Sequence, residues 1–496
     1  MNRLRATLAA FALFVPALGL APAPAAAQAQ RPEDIQYPAL PDFKLPKPER
    51  HVLPNGIVLL LAEDHELPLV RANVLIRTGS RLEAAEHAGL ADLVGQTLRS
   101  GGTRNLTGDQ IDEFLDGKGA SIETLIDVHQ GQASVFALKE DFPEVFRLFG
   151  EILRYPVFDP AKIDIAKTGV KGNISRQNDD PQDILYRELP ELVYGAGSPY
   201  ARQATYASLD AIEPADLVEF HRQYFQPTRL IIGVVGDFDA AEMRKLVSDT
   251  LGDWQATLPA GDPNMFSPPA KPAAGIYFIE KSDVTQSSIG MGDLGIVRRH
   301  PDYFAVEVMN QVLSGSFTSR LFSEVRTKKG LAYNVSGFVG TDWDKPGLTV
   351  LATSTKAETT GAAIDALLLE ARRMKTEPPS DDEVAKAKRS ILSSFIFQID
   401  TPQKLLNQQL NYEYYGYPAD WLEQYRLRIE KVTTAEVRDA AVKHLVPERF
   451  AILVVGPKEG RDTDLTKYGT VQTIDITIPE PNAPKLALTP EGQARA

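Results

Sequence analysis

Side chains suited to chemistry are thinly spread along this sequence. Its seven histidines stand at positions 51, 65, 87, 129, 221, 300 and 444, and no two are spaced to hold a metal from one helix face. A metal site built from histidines distant in sequence stays open. Cysteine is absent, which removes disulfides, thiolate zinc sites, iron–sulfur clusters and cysteine nucleophiles together. A literal G-x-G-x-x-G occurs at Gly290-Met-Gly292-Asp-Leu-Gly295, but its first glycine lies inside an expected strand and Pro301 starts the next helix late. It therefore reads as a strand end with turn glycines, not as a pyrophosphate cradle. Neither a G-x-S-x-G elbow nor a G-x-x-x-x-G-K-[ST] loop is present. With 53 basic against 66 acidic residues the formal charge is −13, which opposes binding to phosphate backbones and anionic lipid.

The 496 residues are too many for one ordinary core. Arg3 and Arg5 precede an apolar run over 6–20 and a small-residue stretch with Ala-x-Ala cleavage sites after Ala27 or Ala29, the pattern of a secretory signal peptide over 1–29. The run is too short to span a membrane. A Pro-rich arm is expected over 30–50 and a Pro-rich linker over 258–275. They bound an N-terminal domain over 51–257 and a C-terminal domain over 276–470, followed by a loosely held Pro-rich tail over 471–496. The two halves look duplicated. At a constant offset of 220, Pro227 falls on Pro447, Arg229 on Arg449 and Val234-Val235-Gly236 on Val454-Val455-Gly456. Each copy reads as a polar helix, a Pro-marked turn and a buried strand (230–235, 450–455). Each half also opens alike, with strands over 56–61 and 69–77 before a helix over 87–99, and strands over 275–280 and 286–291 before a helix over 301–313. Adjacent strands joined by short connections predict an α+β fold, two homologous mixed sandwiches of about 220 residues each, rather than a parallel doubly wound sheet.

The motifs carry a specific likeness. Gly79-Ser-Arg-Leu-Glu83, the run Gly89-Leu-Ala-Asp-Leu-Val-Gly-Gln-Thr-Leu98 and Ser100-Gly-Gly-Thr103 resemble the opening of the insulinase/pitrilysin-type zinc metallopeptidases. In catalytic members the helix after Gly-Leu-Ala carries H-x-x-E-H, two zinc ligands and a glutamate base. Here those positions are Asp92, Gly95 and Gln96, and the family's third ligand, a glutamate, corresponds to Asn173, ahead of Asp179-Asp180-Pro181. The resemblance therefore implies a domain that has lost zinc: no metal and no catalytic residue in this chain.

The second half keeps what the first lacks. The segment from Ser319 to Val335 closely resembles the family's other active-site element, with an arginine and a tyrosine seven residues apart, Arg326 and Tyr333. Arg326 is expected in the last helical turn before Gly330 and Tyr333 on the following strand, so that guanidinium and phenol converge on one oxygen and serve as substrate-binding donors that stabilise an oxyanion. The alternative is a surface arginine offsetting a helix dipole and a tyrosine packed beside Leu331 and Val335. The likeness, from about Val52 to Gly456, implies an exported, periplasmic, zinc-free subunit of a heterodimeric peptidase. It would act on unfolded peptides beside a homologous subunit that carries H-x-x-E-H and the zinc, with no nucleic-acid partner and no stable membrane insertion. It would be inactive alone. The strand over 120–128, with Thr124 and His129 near it, corresponds to the family's substrate-pairing edge. A non-catalytic scaffold or peptide-binding protein of the same descent is the other reading.

Overall fold

Residues 47–258 and 274–479 are described by a computed structural model; the expected signal peptide, most of the arm and residues 259–273 of the linker lie outside them. Strands β1 (Glu49–Val52), β2 (Val58–Glu63), β3 (Leu69–Ile76), β4 (Ser121–Ile126), β5 (Gly131–Leu138) and β6 (Leu230–Gly236) build the first sheet. In the second half come β7 (Gly275–Glu280), β8 (Gln286–Leu294), β9 (Ile296–Val297), β10 (Val335–Phe338), β11 (Thr341–Asp342), β12 (Leu348–Lys356), β13 (Ala451–Gly456) and β14 (Val471–Thr473). The first sheet runs β1-β2-β6-β3-β5-β4 and the second β10-β12-β8-β13-β7-β14, while β9 and β11 form a separate ribbon. Exchanging β2 to β6 for β7, β8, β10, β12 and β13 turns the first order into the second read backwards, apart from the edge strands β1 and β14, which pair antiparallel and parallel respectively. Directions agree too: β2–β6 and β7–β13 are parallel, and the pairs β3–β6 and β8–β13 are antiparallel. The offset read in the sequence reappears as helices Pro214–Tyr224 and Thr434–His444, each followed by a 3-10 turn at Pro227–Arg229 or Pro447–Arg449.

Each sheet buries both faces, so its strands alternate between two cores. In the first half Leu59, Leu61, Val70 and Ile76 meet the half's own helices, while Leu60, Leu75, Ile231 and Val235 meet Leu406, Leu410 and Tyr414 of helix Pro402–Tyr415, which comes from the second half. In return, helix Pro181–Tyr194 of the first half lays Ile184, Leu185 and Leu189 on Tyr277, Ile279, Leu453 and Val455 of the second sheet. The halves are therefore interlocked by an exchange of equivalent helices. Glycine makes the close approach possible on both sides. A Cβ on Gly233 would stand 2.9 Å from Leu410, and one on Gly292 2.6 Å from Val193. Of the G-x-G-x-x-G run, Gly290 lies within a strand as expected, while Gly292, read as a turn glycine, is corrected: it too lies within β8, and both admit a helix. Buried charge crosses the same junction, where Arg81 pairs with Asp344 at 3.2 Å and Lys345, itself paired with Asp342, donates to the Tyr194 hydroxyl at 3.3 Å.

Boundaries shift by a few residues. The helix expected from 87 begins at Leu90, because Gly89 takes the left-handed conformation at φ 103° before it. The one expected from 301 begins at Tyr303, and β1 extends the first domain back to Glu49. The tail expected from 471 differs more: Val471–Thr473 is an edge strand on β7, Ile474 and Ile476 pack on the second sheet and Ile478 packs against the first core. Apolar residues at 471, 474, 476 and 478 alternate closely enough with polar ones to mark an extended, one-sided strap, a pattern that the prolines beyond it conceal. No helix among the described residues is long and apolar enough to cross a membrane.

Candidate functional site

The helix Leu90–Ser100 at the family's zinc position is firmly built but chemically empty. Leu90, Leu93, Val94 and Leu98 are buried, and the carboxylate of Glu83 caps the helix by accepting the main-chain N–H of Gly89 at 3.0 Å and of Ala91 at 2.8 Å. The Gly79-Ser-Arg-Leu-Glu83 motif thus works as scaffold: Glu83 satisfies the helix N-terminus, Arg81 reaches across to Asp344, and Gly79 at φ 143° lies so near β4–β5 that a Cβ would stand 2.5 Å from the Val128 carbonyl. On the outer face Gln96 Nε2 donates to Asp92 Oδ2 at 2.9 Å, so the two residues occupy each other. Asn173 is exposed on helix Pro160–Arg176. At the position of the base, Gly95 lies flat against β4. Its carbonyl accepts from Thr124 Oγ1 at 2.7 Å, and a Cβ there would stand 2.6 Å from the main-chain nitrogen of Ile126. Two amides, one anion and a main-chain contact where the base would stand do not fit a zinc ion. Asp92 belongs to no group of three potential metal ligands among the described residues.

Arg326 and Tyr333 are brought together. Arg326 lies in a π-helical turn, Phe322–Lys328, a rare widened geometry that often accompanies function. The turn ends where Gly330 enters the left-handed region at φ 60°. Tyr333 is not on the strand, as expected, but two residues ahead of β10, and it is 84% exposed. Main-chain anchors fix that approach: Thr355 Oγ1 of β12 donates to the Leu331 carbonyl at 2.7 Å and Thr353 Oγ1 to the Asn334 carbonyl at 2.8 Å. These threonines were missed in the sequence, where they read only as strand residues. The Arg326 guanidinium carbon stands 4.7 Å from the centroid of the Tyr333 ring, 4.8 Å from Phe322 and 5.8 Å from Phe317. The nearest acid in sequence, Glu324, is engaged by Lys328 and Lys329. Burial works to raise its carboxyl and these ammonium groups outweigh that, so it is held below the usual carboxylate range. Arg326 makes no ion pair among the described residues. A cation flanked by aromatic rings and free of a counter-ion is available to an incoming acceptor. The guanidinium lies over the ring, and no hydrogen bond joins it to the phenol oxygen among the described residues.

The other expected site residues part company. β4 pairs only with β5 and leaves its outer edge unpaired in the sheet, but Thr124 turns to the helix. His129 is half-buried at the junction of the halves, where desolvation lowers its pKa and Tyr414 donates to its carbonyl at 2.9 Å.

Two family models match along this architecture. Residues 58–202 match the insulinase family, peptidase family M16, and residues 211–391 match the peptidase M16 inactive domain. Among similar proteins, an uncharacterized zinc protease YmxG from Bacillus subtilis is 22% identical over 82% of this chain and 98% of its own. A non-peptidase homolog YmxG from Helicobacter pylori is 25% identical over 81% of this chain and 92% of its own. The crystal structure of a peptidase M16 inactive domain from Pseudomonas fluorescens superposes with a TM-score of 0.76, at 26% identity, over 84% of this chain and 98% of the other. The paired sheets, the zinc helix stripped of its ligands and these matches along most of the chain lead to one conclusion: the protein belongs to the insulinase family, peptidase family M16, as an inactive homologue without the zinc-binding motif.

Proposed function

We propose that this protein is the zinc-free subunit of an exported heterodimeric peptidase. It would supply Arg326 and Tyr333 in trans to a homologous subunit that holds zinc through H-x-x-E-H. The observation that carries the reading is the contrast between the two halves. The zinc position is filled by a hydrogen-bonded Gln96–Asp92 pair and a glycine against β4, while Arg326 and an 84% exposed Tyr333 stand ready with no acid engaging them. Residues kept only for packing have no reason to hold an unpaired cation beside an exposed phenol. In the complex, the guanidinium and phenol would bind a substrate carbonyl and stabilise the oxyanion that forms when water attacks it; unfolded peptides are the substrates such a chamber admits. The amino-terminal pattern and net charge fit a periplasmic setting.

A second reading, a scaffold or peptide-holding protein, is favoured by one detail: the guanidinium lies over the tyrosine ring, a contact that packing alone explains. The experiment that separates them is reconstitution with the H-x-x-E-H subunit from the same organism. Chelator-sensitive peptide hydrolysis that appears only on mixing supports the peptidase reading. A stable complex with no gain in hydrolysis supports the scaffold.

A further inference from the structure

The fold assembles a set of metal ligands that no linear motif announces. His300 and Asp302 flank Pro301 at the entrance to helix Tyr303–Ser314, and His444 is the last residue of helix Thr434–His444, which packs beside it. One ring nitrogen of each histidine and one oxygen of Asp302 lie within 4.8 Å of one another. His444 Nε2 is 2.8 Å from Asp302 Oδ2, and the two imidazoles meet edge to face with centroids 5.1 Å apart. The main-chain N–H of Asp302 donates to His300 Nδ1 at 3.1 Å, a bond that gives way to the metal if ligation is through that nitrogen and stays if it is through Nε2. We propose that His300, Asp302 and His444 form a binding site for a divalent transition-metal ion of the zinc class, in the second half and unrelated to the family's zinc position.

The donor set supports that class. Two imidazoles and a carboxylate suit zinc and its borderline neighbours better than calcium or magnesium, which prefer oxygen throughout. Tetrahedral bonds of about 2.1 Å place donors roughly 3.4 Å apart, so a small rotation of the rings closes the set. The three side chains are part-buried, at 37%, 22% and 15% exposure, and Asp302 opens on a cavity of about 460 Å³ shared with Glu436, Asp439, Arg428, Lys431 and Lys443. It supplies an entry path and room for water to complete the coordination. Lys443 places its ammonium 3.1 Å from Asp302 Oδ2 and holds the position a cation would take, so metal must displace it. With three ligands on two helix ends, the ion would tie the entrance of one helix to the exit of the other.

The test uses the tag-free, full-length chain, stripped with chelator and dialysed, then titrated with zinc against a chromophoric chelator and with cobalt by visible absorption. One zinc per chain is expected. His300→Ala and His444→Ala should each weaken binding by at least about 100-fold, more than the loss of an outer partner of a ligand causes, and Asp92→Ala should change nothing. Lys443→Met, which keeps the stem and removes the competing charge, should tighten binding. Circular dichroism verifies each fold, and His300→Gln and His444→Gln replace any alanine variant that fails to fold. Failure of the wild type to take up zinc, uptake that survives loss of both histidines, or weaker binding in Lys443→Met would overturn the assignment.

Discussion

Replacing Gly95 by alanine should destabilise the protein, although alanine is the better helix former. The magnitude follows from three effects. Alanine's helix propensity favours the variant by about 1 kcal/mol. Against it, the new methyl would stand 2.6 Å from the Ile126 nitrogen and 3.0 Å from Leu125 Cα, atoms of a main chain held on both sides by the sheet and the helix. Overpacking of this kind costs about 1–3 kcal/mol. Moving β4 away also stretches the 2.7 Å hydrogen bond from Thr124 to the Gly95 carbonyl, a further loss of about 1 kcal/mol. The net expectation is a destabilisation of roughly 1–3 kcal/mol. Gly117→Ala is the internal control, since nothing lies within 4 Å of its added Cβ on helix Gly108–Lys118; it should stabilise by about 0.4–1 kcal/mol. Urea denaturation followed by far-UV circular dichroism compares the two. If Gly95→Ala is as stabilising as Gly117→Ala, β4 does not close the position of the missing base and the zinc site is empty only for want of ligands. If the reasoning holds, restoring Asp92→His, Gly95→Glu, Gln96→His and Asn173→Glu together still fails to create a zinc site there.

Stability should also fall with acid through His221, whose ring packs against Phe225 and Phe158, with Nε2 2.9 Å from the Leu153 carbonyl. Burial lowers its pKa to about 4 from about 6.5 in the unfolded chain, so the unfolded state takes up the proton first. The contribution is complete above about 6.5 and is lost as pH falls toward 4, roughly 2 kcal/mol between pH 8 and pH 5; urea midpoints of wild type and His221→Asn should converge as pH falls. Tyr333→Phe should leave assembly intact and slow turnover of the mixed enzyme by about 10²- to 10³-fold, and Arg326→Lys should also be harmful because an ammonium lacks the planar fork; steady-state kinetics on complexes verified by size exclusion check both. Metal analysis should find the zinc content of the chain unchanged by Asp92→Ala or Asn173→Ala.

Much of this was legible in the sequence because the duplication repeats local rules. Pro227 and Pro447 open the turns between a helix and an all-apolar strand, and the same grammar at a constant offset revealed two copies of one fold. The exchange of helices was not legible, since Pro181–Tyr194 and Pro402–Tyr415 have apolar stripes that state only that a face is buried, not against which half. Gly292 misled for a related reason: a glycine that admits a neighbouring helix and one that makes a turn look alike until the neighbour is known. At the site, the types and spacing of Arg326 and Tyr333 were readable, but the π-helical turn and the threonines of β12 that set the approach of Tyr333 depend on a partner strand some 20 residues away. The grouping of His300 with His444 depends on two helices packing side by side, which no local pattern encodes.

The central claim is most directly tested by measuring peptide hydrolysis by an H-x-x-E-H subunit from the same organism as this chain is titrated into it. The account predicts no hydrolysis by this chain alone, chelator-sensitive activity that rises with added chain and saturates as the complex fills, and loss of that gain when Arg326 and Tyr333 are both replaced. Full activity of the zinc subunit by itself, unchanged at every concentration of this chain, would contradict it.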